Sequence, residues 1–220
     1  MIRERRLTSR KIGLYLIFLF SAWGVRELVL QSILSEVLDG VALALVGQGI
    51  KLLVWTLPAV LLIWYYRDDM WISFREMVVT RPQWFSDAPV LLIVFVPLLR
   101  AVFLYGGVGI HPDFQPERLI GAVLFVGITE EVVFRGFLLN ALLKRMKLWS
   151  AIAVNEVFFV LIHFPVWIYQ GKDLGAFAGS SMAVFLLGGV FSYSFVKARN
   201  IFVPIALHMT YNLLVVLFLG

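Results

Sequence analysis

The chain has 220 residues, of which 61% are apolar and 15% charged, with a mean hydropathy of +0.90. A soluble domain runs near half apolar and a quarter charged, so this composition excludes an ordinary globular protein, a disordered chain and a coiled coil. With no cysteine there is no disulfide, thiolate metal site, Cys nucleophile or lipidated Cys, and the net charge of +5 is not gathered on one face as nucleic-acid binding would need.

In chain order, seven apolar stretches approach the ~20 residues that a membrane-crossing helix needs. They lie at 12–34, 41–66, 89–109, 119–143, 150–170, 174–196 and 201–219. The sequence therefore predicts an all-α polytopic membrane bundle of about seven transmembrane helices, with no internal repeat. The first stretch is too long, and followed by too many others, for a cleaved signal. Residues 1–118 read as N-terminal transmembrane helices and 119–220 as a second group of helices, within a single membrane domain.

Basic residues set the orientation. Arg3, Arg5, Arg6, Arg10, Lys11, Arg67, Arg75, Arg81, Lys144, Arg145, Lys147, Lys197 and Arg199 fall on one side, against only Arg118 and Lys172 on the other. The positive-inside rule then predicts a cytoplasmic N-terminus and an external Gly220. The basic charge reads as topology and anionic-lipid contact, with no nucleic-acid partner. The longest connection, 67–88, carries Trp71, Phe74, Trp84 and Phe85 among charges. It reads as an interfacial amphipathic segment or as a structured loop with aromatic anchors.

The other basic residues, Arg26, Lys51, Arg100 and Arg135, lie inside spans, as do Glu27, Glu130, Glu131 and Glu156. A charge at mid-bilayer costs about 3 kcal/mol or more, so each of these needs a partner, a wet cavity or a task. Arg26 and Glu27 lie toward an outer helix end and read as structural, snorkelling residues. Glu131 and Arg135 are four apart on one face, the spacing of an internal ion pair that shapes the site. Glu130 points about 100° away, without that partner, and is the candidate for proton-transfer chemistry. Lys51 and Arg100 have no acid at pairing distance on their own helices. At least one of them is expected to front a polar cavity joined to the site, where it would hold a substrate carboxylate.

His163 follows Phe159 by four residues, with Pro165 loosening the helix just beyond. His208 and Asn212 stack four apart on the last span, whereas His111 sits in an outer loop and reads as solvated. A rise of ~1.5 Å per residue puts Glu130 and His163 roughly 20 Å from the cytoplasmic ends, and His208 and Asn212 roughly 10–18 Å. These depths are compatible with one buried site.

These residues resemble the motifs of the CPBP (CAAX protease and bacteriocin-processing, or Abi) intramembrane proteases. Glu130, Glu131 and Arg135 match Glu-Glu-x-x-x-Arg, within the frequent Phe134-Arg135-Gly136 context. Phe159 and His163 match Phe-x-x-x-His, and His208 and Asn212 match His-x-x-x-Asn. The resemblance covers about residues 119–216. It implies an intramembrane endopeptidase of a prokaryotic inner or plasma membrane that cuts a CAAX-like or bacteriocin-like membrane-associated peptide or protein. Carried over, Glu130 activates a water that His163 helps to position, and His208 and Asn212 bind the oxyanion. Glu131, Arg135 and Phe159 support the site. No cofactor is expected. The alternative is zinc on Glu130, His163 and His208, although the histidines stand alone on separate helices and Arg135 would oppose a divalent cation. Asn155 and Glu156 depart from the family pattern. Glu156 is on the face of His163, where it would line substrate access or pair with Lys144 or Lys147. Two other readings compete: a non-catalytic immunity factor or scaffold, and a transporter. The latter lacks the paired repeats that transporters usually show.

Overall fold

A computed structural model describes residues 6–81 and 95–220. Arg3, Arg5, Trp84, Phe85 and the start of the 89–109 stretch lie outside the described residues. The described chain is helical, without strands. In order, the helices are α1 (Ser9–Val37), α2 (Gly40–Tyr65), α3 (Phe74–Val79), α4 (Val96–Tyr105), α5 (119–143), α6 (Leu148–Tyr169), α7 (Leu174–Ala198) and α8 (Phe202–Phe218). Four of them, α1, α2, α6 and α7, are long and apolar enough to cross a membrane. Helix α5 has comparable length but holds Glu130, Glu131 and Arg135 in its middle, and α8 is a shorter apolar helix. Large apolar side chains such as Ile17, Leu53, Phe103 and Leu186 face outward along the helices. That is the surface of an integral membrane protein, whose surroundings are as apolar as its core.

Short connections make the long helices antiparallel and give the bundle two distinct ends. At one end Arg145 donates to the carbonyls of Leu7 and Asp69, and Arg199 pairs with Glu76 at 2.5 Å. The 67–81 connection is docked there rather than loose. Asn140 clamps Ile72 through two bonds of 2.9 Å, Ile201 N–H donates to the Met77 carbonyl, and Met70, Ile72 and Met77 are buried. At the other end His111 N–H donates to the Leu217 carbonyl at 2.7 Å and the ring lies against Tyr105. His111 is thus packed, correcting its reading as merely solvated.

The core fills the half of the bundle nearest the Arg145 end. Tyr15, Leu19, Ala59, Ile63, Phe134, Phe137, Leu138 and Phe195 are all buried in one cluster. Two local breaks aim residues from this frame. Pro165 has no N–H for the Leu161 carbonyl, so α6 turns at Ile162–His163 and restarts at Phe164. Pro58 has the same effect on α2, where a wide π turn, Leu52–Thr56, directly follows Lys51. A second wide stretch, Val132–Leu139, directly follows Glu131. Such bulges shift the register of side chains beyond them and recur at functional sites.

Candidate active site

Three of the four basic residues inside the spans meet the four acids by direct contact. Arg26 meets Glu27 at 2.5 Å, Lys51 meets Glu130 at 2.7 Å, and Arg135 lies between Glu131 at 3.1 Å and Glu156 at 2.9 Å. Arg100 stands apart on α4, exposed and away from the cavity described below.

The Arg135 cluster is fully buried. Its guanidinium also donates to Ser192 Oγ at 3.2 Å and to the Gly188 carbonyl at 2.8 Å, and it lies 4.4 Å over the Phe159 ring. Glu156 accepts from Ser192 Oγ–H at 2.5 Å and from Asn155 Nδ2 at 2.8 Å. Glu156 therefore lines no access route and pairs with neither Lys144 nor Lys147. It is a wholly enclosed anion of the α5–α6–α7 junction, because α6 turns that face toward α7. Helix α7 can come so close only because position 188 is glycine: a Cβ there would lie 2.0 Å from Glu156 Oε2.

This cluster reaches the second site through Glu131, whose Oε1 also accepts from His208 Nδ1–H at 2.7 Å. His208 stacks on Phe191, with centroids 4.8 Å apart. His163 donates its Nδ1–H to the Phe159 carbonyl at 2.6 Å and sets its ring edge-on to Phe159. With both Nδ1 atoms so engaged, both Nε2 atoms point the same way. His163 Nε2 lies 3.9 Å, and His208 Nε2 4.0 Å, from Glu130 Oε2. That oxygen is buried and has no hydrogen-bond partner. The other carboxylate oxygen, Oε1, is the one that Lys51 holds. The Lys51 ammonium itself lies 4.3 Å from the Trp55 ring centroid and 5.3 Å from that of Trp23. Aromatic faces next to a buried cation replace part of its lost hydration.

Two sequence readings change here. Glu130 is not unpartnered: its partner comes from α2, 79 residues away. Lys51 does front the polar cavity, but the carboxylate it holds is that of Glu130. Asn212 also lines the cavity, with its Nδ2 donating to the Ala122 carbonyl at 2.8 Å. Sequence reasoning missed Ser192, Gly188, Trp23 and Trp55. Among these only the Gly188/Ser192 spacing, two small residues one turn apart on α7, carries a signal, and small residues commonly mark close helix packing.

The site forms the floor of a cavity of about 320 Å³ walled by α1, α2, α5, α6 and α8. Lys51, Glu130, His163 and Trp55 lie at its base, and Ala122, Val126, Val166 and Val215 on its sides. Arg26 and Glu27 belong to this wall, a correction to their reading as snorkelling residues.

A helical membrane bundle with a glutamate and two histidines converging on one buried point has the architecture of a membrane-embedded hydrolase. Residues 113–214 match the family described as type II CAAX prenyl endopeptidase Rce1-like. The chain carries an Rce1-like domain of the CPBP family, and the class of enzyme is a protease. No curated protein and no solved structure matches the chain.

Proposed function

We propose that the chain hydrolyses a peptide bond of a membrane-associated peptide or protein, with a water activated by Glu130. The observation that carries this is the free Glu130 Oε2. A buried carboxylate oxygen left without a partner costs stability unless something else fills its place. Two imidazole Nε2 atoms 3.9 and 4.0 Å from that oxygen leave room for a water that bonds across the gap. Lys51 fixes Oε1, so the free oxygen is aimed. Glu130 takes the proton of the water as it attacks the scissile carbonyl, and His163 orients that water. His208, held through its Nδ1–H by Glu131, turns Nε2 toward the developing oxyanion, to which it donates in its imidazolium form. The remaining Asn212 amide hydrogen is a second donor beside it. The leaving amine regains the proton from Glu130, which returns to its starting form.

Zinc would use the same three groups. The donor set fits it poorly, because the Lys51 ammonium already sits 2.7 Å from the carboxylate that would bind the ion. The reading is therefore of a metal-free glutamate protease. A scaffold role would need only the Arg135 cluster, whose bonds hold helices together. It gives no reason for two imidazoles to face a bare carboxylate oxygen at the base of a cavity.

We further read α4, α5 and α8 as crossings together with the four long apolar helices, giving seven. The charge bias puts the Arg145 end, and the N-terminus, in the cytoplasm. The substrate class is a CAAX-like or bacteriocin-like peptide at the membrane. Comparative peptidomics of cells with the wild type and with Glu130→Gln is the test. A membrane peptide left uncut only in the variant is the expected result, and identical peptide profiles would remove the glutamate from the mechanism.

A further inference from the structure

The cavity has a direction. Arg118, which caps the start of α5, and Ala122 and Val126 within it precede Glu130 along the wall, one helical turn after another, toward the His111 end. On α8 the lining residues are Asn212, Val215 and Val216, again on the His111 side of His208. In the opposite direction Glu130 is backed by Phe134, Phe137 and Leu138, all 0–1% exposed. The site is plugged toward the basic Arg145 end and open toward the other. A second cavity of about 390 Å³ continues outward from it, sharing Arg26, Gln48, Arg118, Ala122 and Val126.

Charge along this route is not balanced. Arg26 is neutralised by Glu27, and Lys51 by Glu130. Arg118, at the mouth, lines both cavities, and among the described residues it forms no ion pair. Glu117 lines only the outer cavity. Besides Glu130 Oε2, residues lining the route carry four buried polar atoms without partners, the donors Arg26 Nε and Trp55 Nε1 and the acceptors Gln31 Oε1 and Gln48 Oε1. A passage whose wall offers free donors and free acceptors between apolar side chains, with a cation at its rim, complements a peptide backbone that ends in an anion.

From these features we infer that the substrate reaches the site from the His111 end, with an anionic group seated on the Arg118 guanidinium. The inference rests on the protease reading and adds the route and the chemical class of substrate. Twelve residues of α5 separate Arg118 from Glu130, which is about 18 Å at 1.5 Å per residue. Extended peptide covers about 3.4 Å per residue, so the anion falls about five residues from the scissile bond. It is a carboxylate, either the chain terminus or an Asp or Glu side chain. By the charge bias the open end faces away from the cytoplasm.

The absence of cysteine makes the route directly measurable in the full chain. Single Ala122→Cys, Val126→Cys and Leu138→Cys variants are treated with a membrane-impermeant maleimide in right-side-out and in inverted vesicles. The two wall positions should react only in right-side-out vesicles, and position 138 in neither. Reaction of the wall positions from the cytoplasmic face, or from neither face, overturns the route. For the anchor, an apolar pentapeptide with a free C-terminal carboxylate should slow labelling of Val126→Cys several-fold, whereas its C-terminal amide should not. An amide with glutamate at its last position tells a side-chain carboxylate from a terminal one. Arg118→Gln should abolish the acid–amide difference and Arg118→Lys should keep part of it. Equal protection by acid and amide overturns the anchor. Labelling needs no turnover, so Glu130→Gln should give the same pattern. Failure of the protease reading would appear in peptidomics and leave these measurements standing.

Discussion

Arg135 and Lys51 are both buried cations that meet a glutamate of α5, within one turn of each other along it, yet they leave their surroundings in different states. Around Arg135 every charge has several partners from three helices, and the cluster is sealed by Phe159 and Phe191. Around Lys51 the match is deliberately incomplete: the ammonium takes one oxygen of Glu130 and leaves the other bare at the base of a cavity. The Arg135 cluster also has bare oxygens, Glu131 Oε2 and Asn155 Oδ1, but these residues are wholly buried and do not line the cavity, whereas the bare Glu130 Oε2 opens onto it between two imidazoles, where a water can reach it. Glu131 joins the two, since it anchors both Arg135 and His208 through one oxygen. The protein thus uses similar residues once as a brace and once as a tool.

Substitutions should separate brace from tool. Arg135→Ala leaves Glu131 and Glu156 buried without their guanidinium, a loss of about 3–5 kcal/mol for a broken buried pair. Little folded protein should survive detergent extraction, measured as monodisperse yield and melting temperature. A wild-type yield would show that the cluster is not a brace. Glu130→Gln should behave in the opposite way. The amide keeps the shape of the side chain, so yield and melting stay near wild type, but it cannot take a proton. Turnover should fall by about 10²–10⁴-fold, the usual contribution of a positioned general base. Retained turnover of the true substrate would end the glutamate assignment.

Lys51 tests whether the tool depends on its aim. Lys51→Met preserves the stem between Trp23 and Trp55 but frees Glu130 to rotate. Misplacement of a catalytic group by about an ångström costs on the order of a hundredfold. The expected loss is in kcat, at little change in KM, with partial recovery in Lys51→Arg. A change confined to KM would instead make Lys51 a substrate contact. Gly188→Ala probes the brace more gently: its Cβ would meet Glu156 Oε2 at 2.0 Å, forcing a small separation of α6 and α7. Overpacking of this kind costs about 1–3 kcal/mol, read as a lower melting temperature with the catalytic residues untouched.

What was legible in the sequence follows distance along the chain. Glu131 and Arg135 are one turn apart, so helix geometry alone sets them face to face. The same holds for the Phe159–His163 bond and for the break before Pro165. The apolar stretches likewise marked the helices, since apolar length is a property of each segment by itself. Which helix faces which is a property of packing, and there the sequence is silent. Glu130 read as unpartnered because its cation lies on α2, outside the residues that carry the motifs. Glu156 read as a cavity residue because it shares a face with His163. That face, however, is divided between cavity and core by the turn at Ile162–His163 and by the close approach of α7 at Gly188. The Gly188/Ser192 spacing signals close packing but names no partner for Ser192, whose hydroxyl could equally bond the backbone of its own helix.

The smallest expected effect is that of removing metal. Treatment of purified enzyme with a strong chelator should leave turnover unchanged, with elemental analysis showing no stoichiometric zinc. The reason lies in the Lys51 side of the comparison. A divalent ion on the free Glu130 oxygen would sit roughly 5 Å from the ammonium, a repulsion of several kcal/mol even at an effective dielectric of about 20. Nor are the donors drawn together as zinc ligands are. Ligands about 2.0–2.1 Å from a tetrahedral ion lie roughly 3.4 Å apart. Here the two imidazole Nε2 atoms stand 3.9 and 4.0 Å from the carboxylate oxygen, wide enough for a water and loose for zinc. Lys51→Met sharpens the same test, because it removes the repelling charge. If chelation abolishes wild-type turnover and stoichiometric zinc restores it, Lys51 moves off Glu130 in the working enzyme, and the tool is a metal centre.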